Sequence, residues 1–331
     1  MSSPARPMKV PRHRRRLLLA LVMIVTAGVG TALALTPSVP WATRAGGTGS
    51  DKGSGVSALP DGSAIVIGYF NGNATFGSTT LTSFGDDDVF TAKVNPDGTY
   101  AWAIRRGGSG QDRGGGVSAL PDGSAFVIWN GFIAKVNADG TFAWEIGSGG
   151  FSGGVSALPD GSAIVTGYFV GTATFGSTTL TSSASYDVFT VKVNSDRTYA
   201  WATGSGGAGL EIGRGVSALP DGSAIITGHF RDTARFGSTA PLASSGGDDV
   251  FVARLNADGT YAWAIKGGGT GRDEGTGVSA LPDGSAIVTG WFNGTAAFGS
   301  TTLMSSGGYE VFIAKVNADG TYAWARRAGG G

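Results

Sequence analysis

GVSALPDGSAIVTGYF, residues 154–169, decides the fold, because nearly the same stretch begins again at Gly55, Gly215 and Gly277, and a shortened version begins at Gly116. The valine after each of these glycines recurs at intervals of 61, 38, 61 and 62 residues. Self-similarity at a fixed period of this size is typical of repeat architectures. The sequence therefore predicts about five repeats of about 61 residues, starting near residues 55, 116, 154, 215 and 277.

Each full copy has the pattern of four short strands. GVSAL and SAIVTGYF flank Pro-Asp-Gly, in which proline fixes φ and glycine accepts the positive φ of a tight turn. A second hairpin follows, with apolar residues alternating in VFTAKV, then Asn-x-Asp-Gly and GTYAW. The segment between the hairpins, NGTATFGSTTLTSSGG in its general form, is expected to add a short edge strand or a surface loop. In the second copy 23 residues of this middle region are missing, so we expect a truncated unit.

Four short antiparallel strands cannot bury their apolar face alone, so successive copies are expected to stack on one another. Radial stacking gives a β-propeller and linear stacking gives an open array. The size of the unit and its recurrent aromatic residues favour the propeller. The predicted fold class is thus all-β, a β-propeller-like array of four-stranded antiparallel blades.

Three motifs carry a family resemblance: G-x-F-x-G-x-x-x-F-G, D-V-F-x-A-K and G-T-Y-A-W-A. Over residues 41–331 the chain resembles the bacterial seven-bladed β-propeller repeat (SBBP) family of exported and surface proteins. The resemblance implies a propeller and an exported location, and it implies no activity. The chain contains five copies. Its last segment, WARRAGGG, is similar in sequence to WATRAGGT at residues 41–48. A five-bladed ring with one thin blade, a partial ring completed by a second chain and a truncated product are all compatible with this pattern.

The amino terminus predicts export. A basic flank at residues 12–16 precedes an uncharged run from Leu17 to Leu35, and Ala32-Leu33-Ala34 has the form of a signal-peptidase site. Residues 1–34 are therefore predicted to be a signal peptide, with an uncleaved membrane anchor as the alternative. Residues 35–54 would form a lead-in partial repeat and residues 55–331 the repeat domain. The predicted location is secreted or at the cell surface, with membrane contact only through an uncleaved N-terminal segment.

Composition restricts the function. Without residues 1–34 the chain has 18 Lys and Arg against 24 Asp and Glu, because the removed segment carries six basic and no acidic residues. Nucleic-acid binding needs clustered basic side chains to replace phosphate counterions, so that class of partner is not expected. The chain has no cysteine, which excludes disulfides and cysteine-based metal sites.

Two recurrent sets of side chains could carry function. Aromatic residues at one register vary in identity between copies, as a recognition surface would, although burial between blades is the competing interpretation. These candidate ligand-binding residues are Tyr69, Tyr168, His229 and Trp291. A second aromatic register is predicted to lie between blades, at Trp102, Trp144, Trp201, Trp263 and Trp324.

Acidic residues also recur in two registers, at Asp51, Asp112, Glu211 and Asp273 and at Asp88, Asp187, Asp249 and Glu310. They could hold Ca²⁺ with carboxylate and carbonyl oxygens, or they could accept backbone N–H groups of turns. The second interpretation is favoured because no D-x-D-x-D-G run is present. The candidate metal site is the cluster Asp86, Asp87 and Asp88, with Ca²⁺ as the possible cofactor.

The sequence thus predicts an exported, non-enzymatic propeller protein that binds a protein or polysaccharide partner or acts as a scaffold. One alternative is an extracellular lyase or glycosidase with an Asp/Glu pair, for which Asp112 and Asp273 would be the first substitutions. A third alternative is a self-assembling structural unit, since an open sheet edge or face invites association.

Overall fold

The computed structural model describes residues 41–330, and residues 43–330 lie in one compact unit built of β-strands. The predicted signal peptide or anchor at residues 1–34, and residues 35–40 of the lead-in segment, lie outside the described residues. No helix that could cross a membrane occurs between residues 41 and 330. The all-β prediction is confirmed.

The strands in the first two copies are, in chain order, β1 (Gly46–Gly47), β2 (Asp51–Ala58), β3 (Ala64–Phe70), β4 (Asn73–Phe76), β5 (Thr79–Thr82), β6 (Asp88–Val94), β7 (Tyr100–Arg106), β8 (Gly114–Ala119), β9 (Ala125–Trp129), β10 (Phe132–Val136) and β11 (Phe142–Gly147). The third copy contains β12 (Phe151–Ala157), β13 (Ala163–Phe169), β14 (Thr172–Phe175), β15 (Thr178–Thr181), β16 (Asp187–Val193) and β17 (Tyr199–Gly207). The fourth contains β18 (Glu211–Ala218), β19 (Ala224–Phe230), β20 (Thr233–Arg235), β21 (Leu242–Ala243), β22 (Asp249–Leu255) and β23 (Tyr261–Gly269). The fifth contains β24 (Glu274–Ala280), β25 (Ala286–Phe298), β26 (Thr301–Val316) and β27 (Tyr322–Ala328).

Pairing groups these strands into antiparallel four-stranded meanders that follow the sequence repeats. Within the described residues the meanders are β2-β3-β6-β7, β8-β9-β10-β11, β12-β13-β16-β17, β18-β19-β22-β23 and β24-β25-β26-β27. We call them meanders 1 to 5. The segment between the second and third strands forms a short hairpin, as in β4–β5 and β14–β15. The last strand of a meander continues into the next copy, where β17 pairs with β20 and β23 pairs with the outer half of β25.

Both tight turns of each meander follow from their sequence. In the Pro-Asp-Gly turn, Gly62 has φ 83°, and its N–H donates to the Leu59 carbonyl at 3.0 Å. Only glycine adopts this φ without cost. In the Asn-x-Asp-Gly turn, the Gly98 N–H donates to the Asn95 carbonyl at 2.9 Å, and a register shift between Lys93 and Val94 marks a bulge. The same bonds recur in the other copies, so these turns fix the register of every meander.

Meander 2 shows how the truncated copy is accommodated. Its second and third strands are joined by Asn130 and Gly131, with φ 36° and 82°. Two successive residues with positive φ are typical of the two-residue turns that match strand twist. The deletion has therefore replaced the short hairpin by a minimal turn, and the four-stranded meander is complete.

Successive meanders are joined by an apolar contact that recurs four times. A Leu and an Ile or Phe of one meander pack on the Val and Ala of the next, as Leu59 and Ile65 pack on Val117 and Ala119. The other three joints have the same form, in Leu120 and Phe126 against Val155 and Ala157, Leu158 and Ile164 against Val216 and Ala218, and Leu219 and Ile225 against Val278 and Ala280. Each copy thus supplies the wall on which its neighbour packs.

Two hydrogen bonds accompany every joint. A serine hydroxyl of one meander accepts the alanine N–H of the next, for example Ser217 from Ala280 at 3.0 Å. The tryptophan of the last strand donates its indole N–H to the Asn-x-Asp-Gly turn of the next meander. The four such bonds join Trp102 to Ala138, Trp144 to Ser195, Trp201 to Ala257 and Trp263 to Ala318, at 2.9–3.1 Å between nitrogen and oxygen. These four tryptophans lie between meanders, as the sequence predicts, and the stacking is propeller-like. The fifth tryptophan of the register, Trp324, is predicted to lie there too but is 37% exposed.

The first strands begin earlier than the repeat boundaries near residues 55, 116, 154, 215 and 277. They start at Asp51, Gly114, Phe151, Glu211 and Glu274. The extra residues pair with the end of the second strand, so that Lys52 stands opposite Tyr69. A glycine-rich segment reads as a loop in the sequence, but here it lies where a bulge and close backbone approach require small residues.

Candidate functional site

The two ends of the meanders differ in how much they vary between copies. One end carries the Pro-Asp-Gly and Asn-x-Asp-Gly turns, which are nearly identical in every copy. The opposite end, here called the variable end, is formed by the beginning of strand one, the end of strand two and the residues before strand three. Its cross-strand pairs include Lys52 with Tyr69, Phe151 with Tyr168, Ile212 with His229 and Glu274 with Trp291. Variation on a fixed frame is how recognition loops are usually presented.

All four predicted ligand-binding residues lie at the variable end, and each has a different neighbour. Tyr69 is half-buried, with the Arg113 guanidinium 4.9 Å from its ring centre. The ring of Tyr168 stacks on Phe151 at 5.3 Å, with an interplanar angle of 19°. Trp291 is half-buried and meets Tyr309 edge-on at 4.7 Å. Three of the four residues thus support other side chains that are more exposed than they are.

His229 differs from the other three, because its side chain is 1% exposed and does not reach the surface. Burial lowers its pKa, while the nearby Glu274 raises it. Its Nδ1 atom lies 3.5 Å from a Glu274 carboxylate oxygen. The imidazole lies beneath the ion pairs of this end, beside Glu274, Arg214 and Arg272. A partner molecule could not contact it directly.

Sequence reasoning missed the aromatic side chains that are most exposed at this end. Phe151 is 54% exposed and Tyr309 is 63% exposed, and both belong to positions that vary between copies. Phe84 lies under the Arg105 guanidinium, and Phe132 stacks on Trp129, which stands where the other copies have Gly68, Gly167, Gly228 and Gly290. A comparison of the copies position by position would have found Trp129, Phe151 and Tyr309, because each replaces an unlike residue.

The variable end also contains ion pairs between arginines and acidic residues. Asp248 receives Arg231 and Arg272 at 2.8 and 2.7 Å, and Glu274 receives Arg214 at 2.8 Å. The carboxylates are almost completely buried, while the arginines keep about half of their surface. The variable end therefore presents aromatic rings and partly exposed guanidinium groups whose charge is already compensated.

The recurrent acidic residues bind backbone N–H groups of turns, as the favoured interpretation predicts. In the first register Asp273 accepts the Gly269 N–H at 2.7 Å, and in the second Asp249 accepts the Ser245 N–H at 3.0 Å. The equivalent bonds are made by Asp51, Asp112, Glu211, Asp88, Asp187 and Glu310. In each case the donor lies four residues earlier in the chain. The carboxylates thus close the loops of the variable end.

Burial perturbs several of these carboxyl groups. It raises the pKa of Asp273 to about 6 and that of Glu211 to about 8. Perturbed pKa values often mark catalytic acids, but Asp273 is fully buried and both of its oxygens accept backbone N–H groups. Asp112 accepts the Gly108 N–H and the Asn130 amide. Asp273 therefore has no access to a substrate, whereas Asp112 is half-buried and is held by these two hydrogen bonds.

The cluster Asp86, Asp87 and Asp88 does not converge on one point. Asp86 is exposed, Asp87 pairs with Arg113 at 2.9 Å, and Asp88 pairs with Arg105 at 2.5 Å. Among residues 41–330 no three His, Cys, Asp or Glu side chains are arranged to hold a metal ion. Each buried carboxylate of this cluster already has a cationic partner, which competes with Ca²⁺ for its oxygens.

Comparison with known proteins adds little to this picture. No protein-family model matches the chain, so membership of the bacterial seven-bladed repeat family stays a prediction. No curated protein is detectably similar to it in sequence.

Solved structures are similar only at a low level. A Bacteroides caccae protein of unknown function has a TM-score of 0.38 and 12% identity, over 72% of this chain and 90% of that one. The WD40 domain of Neurospora crassa Pan2 has a TM-score of 0.42 and 12% identity, over 82% and 84% of the two chains. Regucalcin from Agrobacterium tumefaciens, a calcium-binding protein, has a TM-score of 0.41 and 12% identity, over 82% and 73%. Similarity at this level is too low to support a conclusion about this chain. The description of its architecture is based on the strand pairing alone.

Proposed function

We propose that this chain is an exported, non-enzymatic binding module that recognises a protein partner with its variable end. The observation that carries the proposal is the concentration of exposed, copy-specific aromatic rings at one end of a frame whose other end is nearly invariant. Aromatic residues and arginine are enriched in protein interfaces, where they dominate the binding energy. The propeller-like stacking would hold these side chains in fixed positions, so that binding requires little ordering.

A protein partner is favoured over a polysaccharide by the chemistry of the exposed rings. Phe84, Phe132 and Phe151 are exposed and offer no hydrogen-bonding group. The polar side chains beside the rings of the fourth and fifth meanders, such as Asp248 and Arg272, are bound to each other. A sugar needs donors and acceptors around an aromatic platform, whereas a protein anchor needs apolar surface and compensated charge.

The test compares variants of the two ends in one binding assay. The purified chain is immobilised and exposed to extracellular proteins of its source and, separately, to a panel of polysaccharides. We expect a protein to bind, and the double variant Phe151→Ser, Tyr309→Ser to weaken that binding at least tenfold. The control is Ser195→Ala, an exposed side chain in a turn of the invariant end. Equal loss in the control, or binding of a polysaccharide that depends on the two rings, would contradict the proposal.

A second candidate function, self-assembly, is favoured by the two end faces of the stack. In meander 5, Val311 and Ile313 are 45% and 39% exposed, whereas the equivalent Val250 and Val252 of meander 4 are fully buried by the next meander. In meander 1, Val56 is 69% exposed, whereas the equivalent valines of later meanders are half-buried at joints. The occupant that fits both faces is a second copy of the chain, whose meander 1 would pack on meander 5 as successive meanders do.

This head-to-tail association can be tested with complementary variants. Ile313→Glu blocks the meander 5 face and Val56→Glu blocks the meander 1 face. We expect each variant alone to be monomeric by light scattering and their mixture to form dimers and nothing larger, because one intact face of each kind remains. A wild-type chain that is monomeric at high concentration, or variants that still associate alone, would rule out this assembly.

A further inference from the structure

A cationic side chain neutralises the buried carboxylate at the start of the third strand in three of the meanders. Arg105 lies 2.5 Å from Asp88, Lys266 lies 3.6 Å from Asp249, and Arg327 lies 2.8 Å from Glu310. All three carboxylates are 5% exposed or less. Burial of a charged carboxylate is costly unless it is paired, so the cation offsets the cost of burying the carboxylate at this position.

Meander 3 has the carboxylate without the cation. Asp187 is 5% exposed and begins β16 as Asp249 begins β22. Strand register places Gly204 opposite Phe189, where Lys266 stands opposite Phe251 in meander 4. Among residues 41–330 no Lys or Arg pairs with Asp187. Its buried Oδ1 atom has no hydrogen-bond partner, and the same holds for Oδ1 of Asp88 and Asp249, whose cations lie at the other carboxylate oxygen. Burial raises the pKa of this carboxyl group, with no cation to lower it.

The volume that the missing side chain would fill is an open cleft. It has about 440 Å³ and is lined by Leu180, Thr181, Ser183, Asp187 and Gly204. The lysine of the next meander shows what such a place can bind, because its ammonium donates to the Ala243 carbonyl at 2.7 Å and to the Ser245 hydroxyl at 2.8 Å. Thr181 and Ser183 hold the equivalent positions six and four residues before Asp187.

We propose that the cleft beside Gly204 binds a primary alkylammonium group, which replaces the lysine side chain that meander 3 lacks. The ammonium lies against the Asp187 carboxylate, the Ser183 hydroxyl and the Thr181 carbonyl, and the alkyl chain lies along Leu180. The same group can come from a free amine or from a lysine side chain of another protein. Glu211 and Arg235 are the other charged residues nearby. Glu211 accepts the Gly207 N–H, and Arg235 also lines the cleft.

An organic cation fits the site better than Ca²⁺ does. Ca²⁺ requires six to eight oxygen ligands, and the described residues offer no cluster of three carboxylates here. The homologous positions are occupied by the side chains of arginine and lysine, with hydrogen-bond acceptors spaced for them. The site uses none of the exposed rings of the variable end, so it does not depend on the proposed protein binding, and either proposal can fail alone.

The experiment titrates the full chain with n-butylamine at neutral pH and follows binding by calorimetry, with n-butanol as the uncharged control. We expect butylammonium to bind and to raise the thermal midpoint, and n-butanol to do neither. Gly204→Lys supplies the ammonium internally, as Lys266 does, so binding should fall at least tenfold and the variant should be more stable than the wild type. A Cβ at Gly204 meets Leu180 at an ordinary contact distance of 3.6 Å, so Gly204→Ala should fold and keep binding.

Three results would overturn the proposal: no binding of butylammonium by the wild type, unchanged binding by Gly204→Lys or Asp187→Asn, or displacement of the amine by stoichiometric Ca²⁺. If Asp187→Asn does not fold, the comparison of Gly204→Lys with Gly204→Ala decides alone. The source of the ammonium is read from a second titration with Nα-acetyl-lysine amide. Binding as tight as that of butylamine indicates a lysine side chain, and exclusion of the amide indicates a free amine.

Discussion

Trp263 of meander 4 donates its indole N–H to the carbonyl oxygen of Ala318 in meander 5, at 3.0 Å. This bond ties the last strand of one copy to the turn of the next. No carbonyl among residues 41–330 accepts the indole N–H of the equivalent Trp324.

We therefore expect Trp263→Phe to lower the free energy of unfolding more than Trp324→Phe does. Both changes remove the same atoms, but the first also breaks a hydrogen bond and loosens a packed joint. The expected difference is about 1–2 kcal/mol, measured by urea unfolding. Equal effects of the two substitutions would show that the indole–carbonyl bond does not stabilise the joint.

The turn that receives Trp263 should be sensitive to any added side chain. Gly320 has φ 86°, and a Cβ there would lie 2.9 Å from the indole ring of Trp263. Gly72 has a similar φ of 74° but open space around it. Gly72→Ala should cost about 1 kcal/mol through backbone strain alone. Gly320→Ala should cost about 1–3 kcal/mol more because of the clash, and equal losses would refute the contact.

Stability should fall as the pH rises through neutrality, because burial raises the pKa of Glu211 from its ordinary 4.5 to about 8. Between these values the folded protein holds a proton that the unfolded chain has released, so unfolding becomes easier by up to about 1.4 kcal/mol per pH unit. Glu211→Gln stays neutral at every pH and should flatten this slope. Urea unfolding at pH 5, 7 and 9 tests the expectation, and parallel slopes for both proteins would contradict it.

Acid should act in the opposite direction through the turn aspartates. Hydrogen bonds from the hydroxyl and N–H of Thr260 lower the pKa of Asp258, and nine other turn aspartates share this direction. They are Asp61, Asp97, Asp122, Asp139, Asp160, Asp196, Asp221, Asp283 and Asp319. A lowered pKa stabilises the fold above the ordinary value of 3.8, and this stabilisation is lost as the pH falls below it.

The midpoint temperature of thermal unfolding should therefore drop steeply between about pH 4 and pH 2, the range in which aspartate carboxylates become protonated. Asp258→Asn keeps an oxygen acceptor for Thr260 but cannot be protonated, so its midpoint should drop less over the same range. An unchanged acid profile in this variant would indicate that the turn aspartates do not drive acid unfolding.

Most of the four-stranded meanders and their joints can be predicted from the sequence. Pro-Asp-Gly and Asn-x-Asp-Gly require particular backbone angles, so they predict both hairpins of each copy and the meander that joins them. The tryptophan register predicts the joints because an indole alternating with alanine must pack against something outside its own sheet. The truncation of the second copy is visible, but its consequence is not, since only the structure shows that Asn130 and Gly131 close the shortened meander.

The site was harder to predict because it depends on residues brought together across strands. The sequence predicts the varying aromatic register as the contact surface, yet the exposed rings are those of Phe151 and Tyr309, and His229 is buried. The acidic cluster at residues 86–88 suggests a metal in the sequence, but its carboxylates diverge to two arginines. Gly204 could have been found by aligning the last strands of the copies, where it stands out among Arg105, Lys266 and Arg327.

The joint between meanders has a consequence for how such a chain can evolve. Its apolar contacts come from all four strands and from the Asn-x-Asp-Gly turn, as Val250 and Val252 of the third strand of meander 4 pack against meander 5. Meander 2, without the outer hairpin, makes the same joint on both of its sides. An in-frame duplication or loss of one copy therefore preserves the apolar contact and the tryptophan hydrogen bond of every remaining junction, and changes only copy-specific pairs of the variable end such as Arg214 with Glu274. Recombination between copies can lengthen, shorten or reshuffle the recognition surface while the scaffold remains intact.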